Sequence, residues 1–292
     1  MKLSSLYNRV IKFGIERDPR TDKKEIKSFS DTAILYGNPD KEIRKIIVGI
    51  DMEVGELLLA DRIRSQSGLD LVISHHPEGK AYASLYKVMR LQIDVLSKAG
   101  VPRNTAEKLL EERMFEVERK ILPQNHMRPV DAARLLDLPL MCIHTPADNH
   151  AFRYIQGLMG IGKPKKVQDI VDILIGVPEY QQAAKNSAGP RIILGNPKRS
   201  VGKILVDMTG GTEGPRDVFD KLYKAGIRTL VCMHLSEEHL KKVKDANLNV
   251  VIAGHISSDT LGLNLLLDRI EKDSKETFQV ISISGFNRIK RK

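Results

Sequence analysis

Short apolar runs alternate with longer amphipathic stretches along most of the chain, and that alternation predicts an α/β protein. Ser4 to Glu16 has the apolar spacing of a helix, and the polar stretch DPRTDKKEIKSFSD behind it reads as a loop. KIIVGI before Asp51 then reads as a buried strand, EVGELLLADRIRSQS as a helix and DLVIS before His75 as a second strand. This is a βαβ unit. Its strands are apolar almost throughout, as a largely parallel sheet covered on both faces requires. Ala81 to Ala99 and NTAEKLLEERMFEVERKIL predict two helices, and Val130 to Leu136 a shorter one. LPLMCI is a strand ending at His144, and Asp148 to Met159 resumes helical spacing.

From Gly160 to Ser200 the chain is rich in Gly, Pro and Lys and reads as a connection, although VQDIVDILI and RIILG inside it keep ordered patterns. A second series follows. KILVDM is a strand, TGGTEGP a turn, DVFDKLYKAG a helix and TLVCM a strand before His234. SEEHLKKVKDAN is a helix, NVVIA a strand before Gly254 and His255, and DTLGLNLLLDRIEK a helix, with ETFQVISIS placed to close this second sheet. The expected division is a first α/β module over residues 1–160, a connection over 161–200 and a second α/β module over 201–292. The two modules share element order more than residues, so they read as related, with mixed, largely parallel sheets flanking a cleft.

Composition narrows the chemistry. Two cysteines in 292 residues, neither in a CxxC pair, speak against a disulfide framework and against thiolate metal sites, and point to a reducing, cytoplasmic setting. No apolar run reaches the length of a membrane span, and the amino terminus lacks a signal-type apolar core. A formal charge of +10 favours anionic partners in general. Nucleic acid is disfavoured, because the basic residues are scattered, only 5% of the chain is aromatic and no reader motif occurs.

The histidines stand out by position. His75 with His76, His144, His234 and His255 each follow an apolar strand directly, where the loops of an open α/β sheet converge on a site. Two of them have a carboxylate four residues on, in His144-T-P-A-Asp148 and His255-I-S-S-Asp259. Imidazole and carboxylate together suit borderline divalent ions. The plain alternative is that Asp148 and Asp259 open helices and merely cap them. At a strand end turning into a loop, His75 and His76 can diverge toward two ions, with Asp148 bridging a pair about 3.5–4 Å apart. In the turn TGGTEGP, Gly210, Gly211 and Gly214 can let backbone N–H groups approach a phosphate, although the spacing is not that of a P-loop and a tight turn is the default. Asp51, Asp207 and Glu78 are available as outer partners or as a general base, whereas Glu213, His126, His150 and His239 read as surface residues, with His150 the one exception to watch. Cys142 and Cys232 lie within strands, as small buried thiols do.

Taken in order, DLVISHHP, HTPAD, TGGTEG, MHLSEEH and AGHISSD resemble the Nif-three-like dinuclear metal family, some of whose members carry the designation type 2 GTP cyclohydrolase 1. The likeness runs from Asp31 to the helix after Asp259. It implies two related α/β domains around a cleft bearing two divalent ions, with Zn, Fe, Mn, Co and Ni not distinguished, and a ring-like or cage-like homohexamer. The ligands it implies are His75, His76, His144, Asp148 and His255, with Asp259 standing where the family has Glu. The long charged helix between HHP and HTPAD departs from the family's spacing. Together these features predict a metal-dependent hydrolase acting on a phosphate-bearing or nucleotide-like small molecule, with Glu78 or an adjacent histidine as proton carrier. The competing expectation is a metal-binding scaffold without enzymatic activity.

Overall fold

The structure is a computed structural model and describes residues 1–291. Its strands are β1 (Ala33–Tyr36), β2 (Lys45–Gly49), β3 (Leu71–Ser74), β4 (Leu140–Cys142), β5 (Arg191–Leu194), β6 (Lys203–Asp207), β7 (Ile227–Cys232), β8 (Asn249–Ile252) and β9 (Gln279–Ser282). The helices of the first half are α1 (Leu3–Arg17), α2 (Val54–Ser67), α3 (Gly79–Ala83), α4 (Leu91–Ala99), α5 (Arg103–Ile121), α6 (Arg128–Leu135) and α7 (Thr145–Gly162). Those of the second half are α8 (Val167–Ile175), α9 (Pro178–Lys185), α10 (Phe219–Lys224), α11 (Glu237–Asp245) and α12 (His255–Ser274).

Two mixed, mostly parallel sheets result, ordered β1-β4-β3-β2-β9 and β5-β8-β7-β6. In each, an antiparallel edge strand precedes a parallel set, so the same plan is used twice. Every residue of β3 is buried, which explains its unbroken apolar run. Between the sheets lie α7 and α12. Leu263, Leu266 and Ile270 of α12 join the core under the first sheet, while Leu261 of α12 joins Phe152 and Ile155 of α7 under the second. The outer faces are covered by α2 and α6 on the first sheet and by α4, α10 and α11 on the second.

Several expectations change. ETFQVISIS does not close the second sheet; β9 pairs parallel with β2 and completes the first. The division at residues 160 and 200 therefore does not follow the sheets: residues from 201–292 return to the first sheet, and β5, placed in the connection, is the edge of the second. The strand β1 follows just after the polar stretch that read as a loop and is too short to show a pattern of its own. The helix expected from Ala81 to Ala99 is broken by a 3₁₀ segment over Leu85–Arg90. Leu85, Val88 and Leu91 are all buried, and a three-residue turn aligns side chains spaced by three. Among the described residues no helix is long and apolar enough to cross a membrane.

Candidate metal centre

The carboxyl ends of β3 and β4 and the first turns of α7 and α12 meet at one point. His75 follows β3 and is 1% exposed. Its Nδ1–H donates to the Ile143 carbonyl at 3.0 Å, which turns Nε2 inward to 3.4 Å from both Asp148 Oδ1 and Asp259 Oδ1. His76 donates from Nδ1 to Asp51 at 2.6 Å and points Nε2 at Asp259 Oδ2, 3.5 Å away. His144 donates from Nδ1 to buried Asp31 at 2.8 Å, leaving Nε2 3.8 Å from Asp148 Oδ2. His255 Nε2 lies 3.7 Å from Asp259 Oδ2.

Helix starts create this geometry. The helices α7 and α12 begin at Thr145 and His255, so Asp148 sits inside the first turn of α7 and Asp259 just past the first turn of α12, and neither opens its helix. The capping reading falls, because a side chain four residues along a helix shares a face with its histidine. Gly254 takes φ +112°, a left-handed value that lets the chain turn from β8 into α12. Gly262 lets α12 approach α7 closely: a Cβ there would meet the Ala147 carbonyl oxygen at 2.4 Å.

The donor set fits a metal. Among the described residues, Asp148 Oδ1 and both Asp259 oxygens are buried without a hydrogen-bond partner. Such orphans are rare in folded proteins and costly. The 3.4–3.5 Å spacings of His75 and His76 from these oxygens exceed a hydrogen bond but match two ligands of one tetrahedral ion, which at bonds of about 2.1 Å stand roughly 3.4 Å apart. Three overlapping sets have ligand atoms within 4.8 Å of one another: His75, His76 and His144; His76, His255 and Asp259; and His75, Asp148 and Asp259. The electrostatics agree. Burial opposes charge on His75 and His76, but facing carboxylates, Asp259 foremost, raise them to about 10 and about 9. Burial likewise disfavours charge on Asp259, yet the imidazoles hold it well below the carboxylate range, while burial pushes His255 down to about 4. The cluster demands positive charge and has uncharged imidazole ready at His255.

The other predicted residues have different fates. Glu78 lines an outer cleft of about 730 Å³ that opens onto His76, His144 and His255. Burial, reinforced by Glu53 and Asp51, pushes its carboxyl up to about 7. Gly210 and Gly211 adopt φ +105° and +83°, where side chains would strike Gln92 and Val88, and Gly214 also packs on Gln92. Close packing accounts for all three glycines without an anion, and the helical segment after them starts with only three residues of 3₁₀ turn. His234 is exposed and lies against His255, with ring centroids 4.6 Å apart and the planes tilted by 55°. Four residues expected at the surface are not there: His239 and His150 are buried, Glu213 is half-buried beside His239 at 3.4 Å, and His126 is partly buried against Tyr82. Both cysteines are buried and free. Asp31 went unread in the sequence; β1 runs antiparallel to β4, so its leading end reaches the carboxyl end of β4 beside His144.

Fold and site together define a two-sheet α/β protein with a buried imidazole–carboxylate centre. The chain has the fold of the NIF3 superfamily, and the resemblance carried by HHP, HTPAD and GHISSD extends over nearly its whole length. A NIF3 superfamily protein from Sphaerobacter thermophilus is 27% identical, covers 95% of this chain and 97% of its own, and superposes with a TM-score of 0.79. Reduced HcgD from Methanocaldococcus jannaschii shares the fold at 16% identity and TM-score 0.58, covering 97% of each chain. Protein ybgI, described as of unknown function, does so at 15% identity and TM-score 0.57, covering 99% of this chain and 100% of its own. No protein-family model matches the chain, and no curated protein matches it.

Proposed function

We propose that the centre holds two divalent ions and that the protein is a metal-dependent hydrolase of a phosphate-bearing small molecule. The observation that carries the metal reading is the set of orphaned buried carboxylate oxygens facing imidazole nitrogens. Three overlapping ligand sets favour two ions over one, with His75, His76 and Asp259 each shared between two sets. Divalent ions held there acidify water and polarise an electrophile. The chain's own groups do the rest. Asp31, Asp51 and the Ile143 carbonyl fix three imidazoles with Nε2 inward. Glu78, titrating at about 7 in the outer cleft, is placed to carry a proton near neutrality. Lys120 and Arg128 in the wall of that cleft favour a phosphate group.

Metal per chain in protein purified without chelator, measured for wild type, His75→Ala and Asp148→Ala, tests the centre. Near-zero content in all three sinks it. A screen of phosphate esters and nucleotides with Mn, Zn, Fe and Co tests the hydrolase, and a metal-loaded protein that turns over none of them supports the scaffold reading instead. Self-association as a hexamer belongs to the same proposal, and native mass measurement decides it.

A further inference from the structure

Behind the centre lies a second, narrower space. This inner cavity of about 80 Å³ is bounded by His144, Asp148, His255 and Asp259 on one side and by the strand ends of the second sheet on the other. It has room for a few waters or a small functional group. Leu205, Leu230 and Phe219 give it apolar walls.

The polar side chains around it are largely committed. Gln92 Nε2 donates to the carbonyls of Gly210 and Thr212 at 2.9 and 2.7 Å. Glu213 accepts from the Ser236 backbone, and His239 bridges Ser236 Oγ and the Gly214 carbonyl. Thr209 donates to Asn149 at 2.7 Å. Asp207 is the charged exception. It ends β6 at the cavity wall and has no hydrogen-bond or ion-pair partner among the described residues. The first half shows how a strand-end aspartate is otherwise satisfied, since Asp51, just beyond β2, receives His76. Burial and Glu213, opposed by nearby His234, push the Asp207 carboxyl up to about 6, so it is mostly ionised at neutral pH and still unpaired. Half-buried at the cavity wall, the carboxylate receives no donor from the described residues and can take one from a bound group.

We propose that the inner cavity is a subsite for an amidino, guanidino or amino group on the compound that binds at the centre, and that Asp207 selects that group. The proposal rests on the reading that a small-molecule substrate occupies the centre. The chemistry follows from the walls. An ionised carboxylate only accepts, so its partner must donate, and a planar N–H pair meets it in two parallel bonds. The apolar sides restrict the partner to a small group. His144 and His255 line both the inner cavity and the outer cleft, so the rest of the compound passes the centre on its way out. Its reacting bond then lies at the centre and its phosphate toward Lys120 and Arg128.

Met208 and Met233 line the cavity and report on it directly through methyl-labelled methionine NMR of the full chain. Acetamidinium is the probe, and acetamide its neutral near-isostere. Acetamidinium should shift both methyl signals saturably, acetamide should bind at least tenfold more weakly, and Asp207→Asn should weaken acetamidinium at least tenfold while His75→Ala keeps the response. Absence of a wild-type response, equal binding of acetamide, or full binding in Asp207→Asn overturns the subsite. A response that survives Asp207→Asn and disappears in His75→Ala places the cation at the centre, which defeats the subsite and leaves the metal reading intact. A cavity response in a protein that takes up no metal does the reverse.

Discussion

The two halves of the molecule use one strand plan and end their strands differently. The orders β1-β4-β3-β2 and β5-β8-β7-β6 correspond, and each half sends one helix into the centre with a histidine followed four residues later by an aspartate. The edge strands even share a signature, with AILYGNP in the first half and RIILGNP in the second. Past that shared frame they diverge. In the first half β3 ends in His75 and His76, and Asp31 and Asp51 lock imidazoles in place. In the second, β7 ends in Cys232 and is followed by an exposed His234, and Asp207 is paired with none of the described residues. A repeated scaffold thus supplies a matched pair of helices bearing His and Asp four residues apart, while one half adds imidazoles held by carboxylates and the other keeps a cavity.

The largest expected effect breaks the pairing of helices at its shared point. Asp259 faces His75, His76 and His255, whereas Asp148 faces His75 and His144. Asp259→Ala should therefore strip more metal than Asp148→Ala, as read by metal analysis after dialysis; the reverse order would place the main ion in the first half alone. Metal uptake by metal-free protein at pH 7 should also release protons, since His75 and His76 titrate at about 10 and about 9 and must give theirs up to bind. Calorimetry in buffers of differing ionisation enthalpy measures that release.

Next comes the contact that holds the halves together. Gly262→Ala drives a methyl into the Ala147 carbonyl and should cost about 3 kcal/mol in urea unfolding, with weaker metal retention. A neutral result would mean that α12 can slide without harm to the centre. Asp31→Ala removes the acceptor of His144 Nδ1 and should lower metal affinity about 10–100-fold. The same change at exposed Asp51 should do less, because water can replace it.

The smallest effect separates Asp207 from its satisfied counterpart. Its folded pKa, about 6, lies above the ordinary carboxylate value of 3.8, so the stability tied to its proton is complete below 3.8 and lost as pH rises through about 6. Asp207→Asn should then stabilise the protein by about 2 kcal/mol at pH 8 and by almost nothing at pH 4, as thermal melts at both values would show. Equal gains at the two values would mean that the ionised carboxylate carries no penalty.

The residues that cluster at the centre were legible because each is local: an apolar run that ends in His requires nothing beyond neighbouring residues to be noticed. The starts of α7 and α12 were misplaced by about a turn because neither has a side-chain cap, although Pro146 in the first turn of α7 was a usable marker. Asp31 stayed hidden because its partner His144 lies 113 residues away. The pairing of β9 was hidden for the same reason, since nothing in QVIS names Lys45–Gly49 as its neighbour. The buried state of His239 depends on a turn and a helix meeting, again beyond what spacing shows.

The return of β9 to the first sheet bears on how the chain is made. During synthesis KIIVG emerges early, with β3 and β4 able to pair on one side of it and nothing on the other until Gln279–Ser282 leave the ribosome. For that interval the nascent protein carries an apolar open edge of the kind that recruits strands from other chains. Met1, whose amino group pairs with Glu276 at 2.8 Å, is likewise without that contact until Glu276 has emerged. Truncations from the carboxyl end should aggregate through the first half, far along the chain from the cut.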